Sequence, residues 1–313
     1  MLSIIILNYN GCRDTIACLE SLRKQSYTDF RVVVADNGSS DESVAQLSQW
    51  AKEEHIEAHW LQILAFDQNY GFAKGNNKAI ETIKDLPSDY YLCLNNDTEM
   101  EPDCLQLLVE YMEGHPEVTA VTPGIRLYDQ PERMWNAGGR LVFGGRRYYY
   151  MEQPAKLLDG KDELPITFIT GCALLVRREL IAERPLFTER FFFGEEDFEF
   201  SLRMQKEGHQ MVCLPTAVMY HKVGGSQTQV VSYNKLFIHQ LNRIINLRSA
   251  YSKPKYVLWM MLYVPYVYIR FLGGMSMRER NQFMRLLLHE ARINDSVSKE
   301  LFEKYIAYPF HAQ

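Results

Sequence analysis

The chain has 313 residues, 47% of them hydrophobic and 23% charged, with a formal net charge of −5. This composition excludes a disordered or fibrous chain, and the acidic balance argues against general affinity for nucleic acid. The length suits one large domain plus an appendage. Six cysteines (Cys12, Cys18, Cys93, Cys104, Cys172 and Cys213) show no Cys-x-x-Cys spacing, and several fall inside apolar runs. They read as buried free thiols of a reducing compartment in preference to disulfide partners. The apolar run 2–7 ends at Asn8, too short for a secretory signal.

Residues 3–7 form an apolar strand signal, followed by the turn Asn8-Tyr9-Asn10-Gly11 and then Ile16, Leu19 and Leu22 at helical spacing. The β-branched run 31–35 closes on Asp36-Asn37-Gly38-Ser39-Ser40-Asp41, and Val44 and Leu47 lie on the next predicted helix. A glycine- and asparagine-rich loop, 71–77, leads into another helix. Tyr90-Tyr91-Leu92-Cys93-Leu94 reads as a buried strand that runs into Asn95-Asn96-Asp97. Pro102 marks a helix start, with Leu105, Leu108 and Met112 on one face. Further on, Gly194-Glu195-Glu196-Asp197 opens a helix through Phe198, Leu202 and Arg203 that stops at Gly208. A strand at 211–214 precedes His221 and Lys222-Val223-Gly224-Gly225-Ser226. The βαβα order predicts an α/β fold, a mostly parallel Rossmann-like sheet with helices on both faces, plus a helical C-terminal extension. The expected division is 1–229 and 230–313.

The loops at strand ends carry the chemistry. Asp97 stands at a strand's carboxyl end, where open α/β sheets place their ligands. A carboxylate there can hold a hard divalent cation against a diphosphate. Asp36 can accept hydrogen bonds from a base N–H or a ribose hydroxyl, or simply cap its turn and the next helix. The loop Asn69-Tyr70-Gly71-Phe72-Ala73-Lys74-Gly75-Asn76-Asn77 can bring backbone amides and the Lys74 charge to a phosphate, although such loops also serve as plain turns. The cluster around Asp197 can supply a base, or Glu195, Glu196 and Glu199 can be solvated first-turn acids favoured by the helix dipole. A lone histidine such as His221 is more often a surface or core residue than a ligand.

Five segments occur in order: Ser3-Ile4-Ile5-Ile6-Leu7-Asn8-Tyr9-Asn10, Val34-Ala35-Asp36-Asn37-Gly38-Ser39-Ser40-Asp41, Asn69-Tyr70-Gly71-Phe72-Ala73, Leu94-Asn95-Asn96-Asp97 and Gly194-Glu195-Glu196-Asp197. Over residues 1–226 the chain resembles a family-2 inverting glycosyltransferase of the A-type nucleotide-sugar fold, in the bacterial rhamnosyltransferase-like branch. The resemblance implies a nucleoside-diphosphate sugar donor, a glycan or lipid-linked acceptor and a role in cell-surface polysaccharide biosynthesis. It implies that Asp36 and the Asn8 region line the base pocket, with Asn69, Gly71, Lys74, Asn76, Asn95 and Asn96 on the donor side. Asn95-Asn96-Asp97 matches the metal-binding Asp-x-Asp motif, so Asp97 is the expected Mg2+ or Mn2+ ligand, with His221 as its partner. Asn95 replaces the motif's first aspartate and brings no charge. Asp197, with Glu196 beside it, matches the catalytic base. Gly171-Cys172-Ala173 matches a segment beside the acceptor, and inverting displacement needs no nucleophile from Cys172.

The C-terminal region has a different character. Eight basic residues (243, 248, 253, 255, 270, 278, 280 and 285) and one acid, Glu279, give the stretch 243–285 a charge of +7. Within it, residues 256–269 carry no charge, are rich in Tyr and Met, and are interrupted by Pro265. A span needs about 20 apolar residues, so this segment fits one lying on an anionic membrane surface, which would put the protein at the inner face of the cell membrane. A buried helix pair or an oligomer contact is the alternative. Competing functions are a nucleotidyltransferase, which would want a basic glycine-rich loop where Asn8-Tyr9-Asn10-Gly11 stands, and an inactive sugar-nucleotide-binding protein.

Overall fold

The computed structural model describes residues 1–223, 233–271 and 273–310. Gly224, Gly225, Ser226 and the expected 229/230 boundary lie outside them. Strands β1 (Leu2–Asn8), β2 (Phe30–Asp36), β3 (Leu61–Ala65) and β4 (Tyr90–Asn95) alternate with helices α1 (Cys12–Leu22), α2 (Ser43–Glu53) and α3 (Phe72–Ile83). These four strands are parallel, in the order β3-β2-β1-β4. The chain continues through β5 (Thr98–Met100), α4 (Cys104–Gly114), β6 (Val118–Leu127), β7 (Met134–Asn136), β8 (Gly139–Val142) and β9 (Gly145–Tyr148). Next come β10 (Leu164–Ile166), β11 (Ala173–Arg177), α5 (Glu196–Glu207) and β12 (Gln210–His221). Beyond β4 the sheet adds β11, β6, β12 and β10, with β11 antiparallel to both neighbours and β12 parallel to β6. β8 and β9 form a separate hairpin.

Apolar residues cover both faces of the sheet. In β1, Ile4 and Ile6 point to the side of Leu19, Leu47 and Leu105, on α1, α2 and α4. Ile5 points the other way, toward Ala79 and Ile80 of α3 and Phe200 and Met204 of α5. A strand buried on both faces has no polar alternation, which is why β1, β2 and β4 read as near-continuous apolar runs, with only Ser3 and Arg31 polar before their carboxyl ends. The parallel register sets Asn8 opposite Asp36 and Leu7 opposite Asn95. Three polar strand ends therefore share one carboxyl edge. All six cysteines are buried free thiols.

The extension comprises α6 (Tyr233–Ala250), α7 (Lys253–Arg270), α8 (Met277–Ile293) and α9 (Lys299–Ile306). Its aromatic centre stacks Phe237 on Tyr305 at 4.1 Å and sets Phe237 against Phe283 at 5.2 Å. The same cluster takes in Phe168, Phe191 and Phe198 from the preceding part of the chain, so α6 packs as a buried helix. α7 buries only Trp259 and Val267. Pro265 does not interrupt it: the helix runs through, and the backbone acceptor that Pro265 leaves unpaired belongs to Met261, on the 68% exposed side where water can reach it. Among the described residues, no helix is long and apolar enough to cross a membrane.

Candidate active site

The sheet edge is a network of short polar side chains. Asn8, fully buried at the end of β1, donates to Asp36 at 2.7 Å and accepts from Thr15 Oγ1 at 2.8 Å. Asp36 also accepts from the Ser39 backbone at 2.9 Å and from its hydroxyl at 2.6 Å. The turn-capping reading of Asp36 is thus realised, with the carboxylate held against the first-strand loop. Asn96 donates to Thr15 Oγ1 at 3.0 Å and fastens the third strand end to the same loop. Asn37, which was not singled out from the sequence, bonds Asn69 at 3.0 Å and the Gly71 carbonyl at 3.1 Å, locking the 69–71 turn. Gly71 has φ +80°, and a Cβ there would lie 2.0 Å from the Phe192 carbonyl oxygen, so only glycine fits. Lys74 is exposed on α3, its ammonium 5.4 Å from the Tyr70 ring. Asn76 is buried, and its amide donates to the Phe72 carbonyl of its own helix.

Asp97 and His221 are 124 residues apart in sequence, yet Asp97 Oδ1 lies 3.1 Å from His221 Nε2. The pairing of β5 with β12 brings them together, setting His221 opposite Thr98. His221 is buried, and its Nδ1 has no hydrogen-bond partner. Burial opposes a charged ring, but the neighbouring Cys172 sulfur and the Asp97 carboxylate outweigh it and push the imidazole up to about 10. Two ligand atoms at right angles, each about 2.1 Å from one octahedral cation, stand about 3.0 Å apart, so the spacing of this pair fits a shared cation that displaces the proton of the imidazole. Among the described residues, no group of three or more His, Cys, Asp or Glu side chains is placed to hold a metal ion by itself. Further positions would fall to phosphate oxygens and water, the usual pattern for Mg2+.

The acidic cluster opens α5. Glu195, for which a solvated first-turn acid was the alternative reading, is buried with a left-handed backbone at φ +72°. Arg243 of α6 grips it bidentately at 2.6 and 2.8 Å, and this charge holds Glu195 below its ordinary range against the pull of burial. Asp197 pairs with Arg146 of β9 at 3.3 Å. Burial raises the proton affinity of Asp197, and Arg146 opposes that. Glu196, half-buried beside Asp197 with one buried, unpartnered oxygen, is pushed up to about 8 by desolvation and by its neighbour's charge. Two partly desolvated acids this close titrate as a pair and tend to share a proton. Gly171 sits against them: a Cβ there would be 3.9 Å from Asp197 Cβ. Arg146 and Arg243 had no motif to announce them. The only trace in the sequence was for Arg243, as the first cation of the basic stretch 243–285.

Comparison with known proteins gives this geometry a context. RfbC, an O-antigen biosynthesis protein of Myxococcus xanthus, is 28% identical over 71% of this chain, which spans only 17% of that relative's length. The amylovoran biosynthesis glycosyltransferase AmsB of Erwinia amylovora is 24% identical over 93% of this chain and 96% of its own. The N-acetylglucosaminyl-diphospho-decaprenol L-rhamnosyltransferase of Mycobacterium tuberculosis is 24% identical over 80% of this chain and 85% of its own. Among solved structures, GalNAc-T7 with UDP, GalNAc and Mn2+ superposes with a TM-score of 0.64 at 14% identity, covering 99% of this chain and 57% of that one. The mannosyltransferase PcManGT of Pyrobaculum calidifontis with GDP-Man and Mn2+ gives 0.57 at 15% identity, over 94% and 86%. These two show the same fold. The family model for glycosyl transferase family 2 matches residues 3–184, more than half of the sequence, and the chain belongs to that family.

Proposed function

We propose that this protein is a metal-dependent inverting glycosyltransferase that moves a sugar from a nucleoside-diphosphate donor to a hydroxyl of a glycan or lipid-linked acceptor in cell-surface polysaccharide biosynthesis. The observation that carries it is the Asp97–His221 pair at the sheet's carboxyl edge, together with a separate half-buried acid at Asp197. In this reading Asn8, Asp36, Asn69, Gly71, Lys74, Asn76, Asn95 and Asn96 belong to the donor side. Asp97 and His221 hold Mg2+ or Mn2+, which when bound neutralises the charge of the departing diphosphate. The acceptor oxygen attacks the anomeric carbon as the bond to the diphosphate breaks, and its proton passes to Asp197. Glu196, by keeping a proton, leaves its neighbour free to ionise. One displacement inverts the anomeric centre.

The relatives named for O-antigen, amylovoran and lipid-linked rhamnosyl transfer support the polysaccharide assignment, and the Mn2+ in the two solved neighbours supports a divalent ion. The reading divides the chain into a catalytic unit, 1–229, and an extension, 230–313, that works at the inner face of the cell membrane. The basic, apolar-striped α7 supports an anionic membrane surface as partner. The test is thermal-shift screening against UDP, GDP and dTDP, and their sugars, with and without Mn2+. A stabilising winner that needs the metal is expected, and turnover should give product of inverted anomeric configuration by NMR. No metal-dependent stabilisation by any of them would overturn the proposal.

A further inference from the structure

We propose that the cleft between the β8–β9 hairpin and helices α6 and α7 is the acceptor subsite, and that it takes a glycan head carried on a long apolar tail. This rests on the reading of Asp197 as the base. The cleft has a volume of about 650 Å3, in the range of small-molecule sites. Arg146 forms part of its wall and is also the residue bonded to Asp197, so a single guanidinium separates the cleft from the base. Arg243, next to it, is matched by Glu195. The charges of this wall are therefore paired off, and it does not select an ionic head. It offers rings instead: Tyr148 and Tyr263 line it, and the buried Trp259 backs Tyr263, stacked on it at 4.1 Å. Aromatic faces accept the C–H faces of a sugar ring while leaving its hydroxyls free to bond.

The rim points to the tail. Leu262 and Tyr266 line the cleft and are 60% and 51% exposed. Both also belong to a stripe with Leu258, Met261 and Ile269, spaced three and four residues apart and more than half exposed. The cleft thus opens directly onto a contiguous apolar helix face, the kind of surface that marks a lipid or ligand contact. Lys253, Lys255 and Arg270, exposed at the two ends of α7, complement anionic lipid around it. A free, water-soluble glycan would leave that stripe without a partner. A lipid-carried acceptor uses both features, its tail along the stripe and its sugar over the rings beside Arg146.

Binding without turnover tests this. Octyl and methyl glycosides of glucose, galactose and N-acetylglucosamine, kept below their micelle concentrations, are titrated into the full chain and followed by tryptophan fluorescence. Each buried methylene is worth about fourfold in affinity, so an octyl glycoside is expected to bind at least tenfold more tightly than its methyl counterpart. The double variant L262D/Y266S should erase that difference, whereas Leu86→Asp, an exposed apolar side chain belonging to neither the cleft nor the stripe, should leave it intact. Equal binding of the two glycosides, no octyl glycoside binding, or an octyl preference that survives L262D/Y266S would overturn the proposal. Mn2+-dependent UDP, GDP or dTDP binding in the same samples reports on the transferase reading independently: its loss with glycoside binding intact sinks that reading alone.

Discussion

At the scale of single residues, Asp97 and His221 hold each other at 3.1 Å in a pairing that a shared cation would replace. Removing either leaves one protein ligand, too few to fix an ion against a diphosphate. Asp97→Ala is expected to abolish turnover and the metal-dependent stabilisation by nucleoside diphosphate, while Asn95→Asp is tolerated. Wild-type metal titration in Asp97→Ala would remove Asp97 from the site. Asp197→Asn keeps shape but loses basicity, so donor binding should persist while the rate falls by about 10²–10⁴. Arg146 lowers the proton affinity of Asp197. Arg146→Gln should therefore move the acid limb of the kcat/KM profile to higher pH, and an unmoved limb would separate Arg146 from the base. Glu196 carries a stability signature. Its folded pKa of about 8 lies above the ordinary 4.5, so between those values the native state keeps a proton that the unfolded chain has released. Stability must then fall as pH rises through that window. Glu196→Gln should flatten the decline in Tm from pH 5 to pH 8, and an unchanged slope would place the proton elsewhere.

At the scale of elements, the acidic cluster depends on α6. Arg243 reaches back 48 residues to neutralise Glu195, also donates to the Gly144 carbonyl at 3.0 Å, and lies 4.0 Å from the centre of the Phe198 ring. One side chain ties α5, the β8–β9 hairpin and the extension together around Asp197. Breaking a buried ion pair from one side strands the other charge and costs about 3–5 kcal/mol. Arg243→Ala should lower the denaturation midpoint accordingly, and Glu195→Leu with Arg243→Met should recover much of the loss. If Arg243→Ala proved as stable as the native chain, α6 would not be a structural support of the site. The same contact explains why a stretch that reads as a basic tail is not uniformly available to a membrane. Arg243 is consumed internally, and Arg248 is bonded to Asp295 and to the Ala291 and Asn294 carbonyls.

At the scale of the whole molecule, the remaining exposed cations of the basic stretch are Lys253, Lys255 and Arg270 at the ends of α7 and Arg278 and Arg285 on α8. Each cation near an anionic surface contributes roughly 1 kcal/mol, and the attraction is screened over about 10 Å at 0.1 M salt. The full chain is expected to float with anionic vesicles, not with neutral ones, and to be released in part by salt. Leu258→Asp should weaken flotation. Equal absence from both vesicle types would turn the stripe into a protein contact between copies.

The sequence by itself determined the sheet and its edge. Residues 3–7, 31–35 and 90–94 could be read because a strand buried on both faces must be apolar throughout, and the polar residues that follow each run must lie where the strand ends. Asn8, Asp36, Asn95 and Asp97 were local in that sense, and so was the stop of α5 at Gly208. Tertiary structure alone decided what those residues touch. Asp36 turned inward to Asn8 and Ser39, and Asp97 met a histidine from the far end of β12. Glu195 went into the core, where only a guanidinium from α6 makes its burial tolerable. Periodicity reports which face of an element is dry. The partner of a buried charge is set by chain crossings tens of residues away, and no spacing within either segment records it.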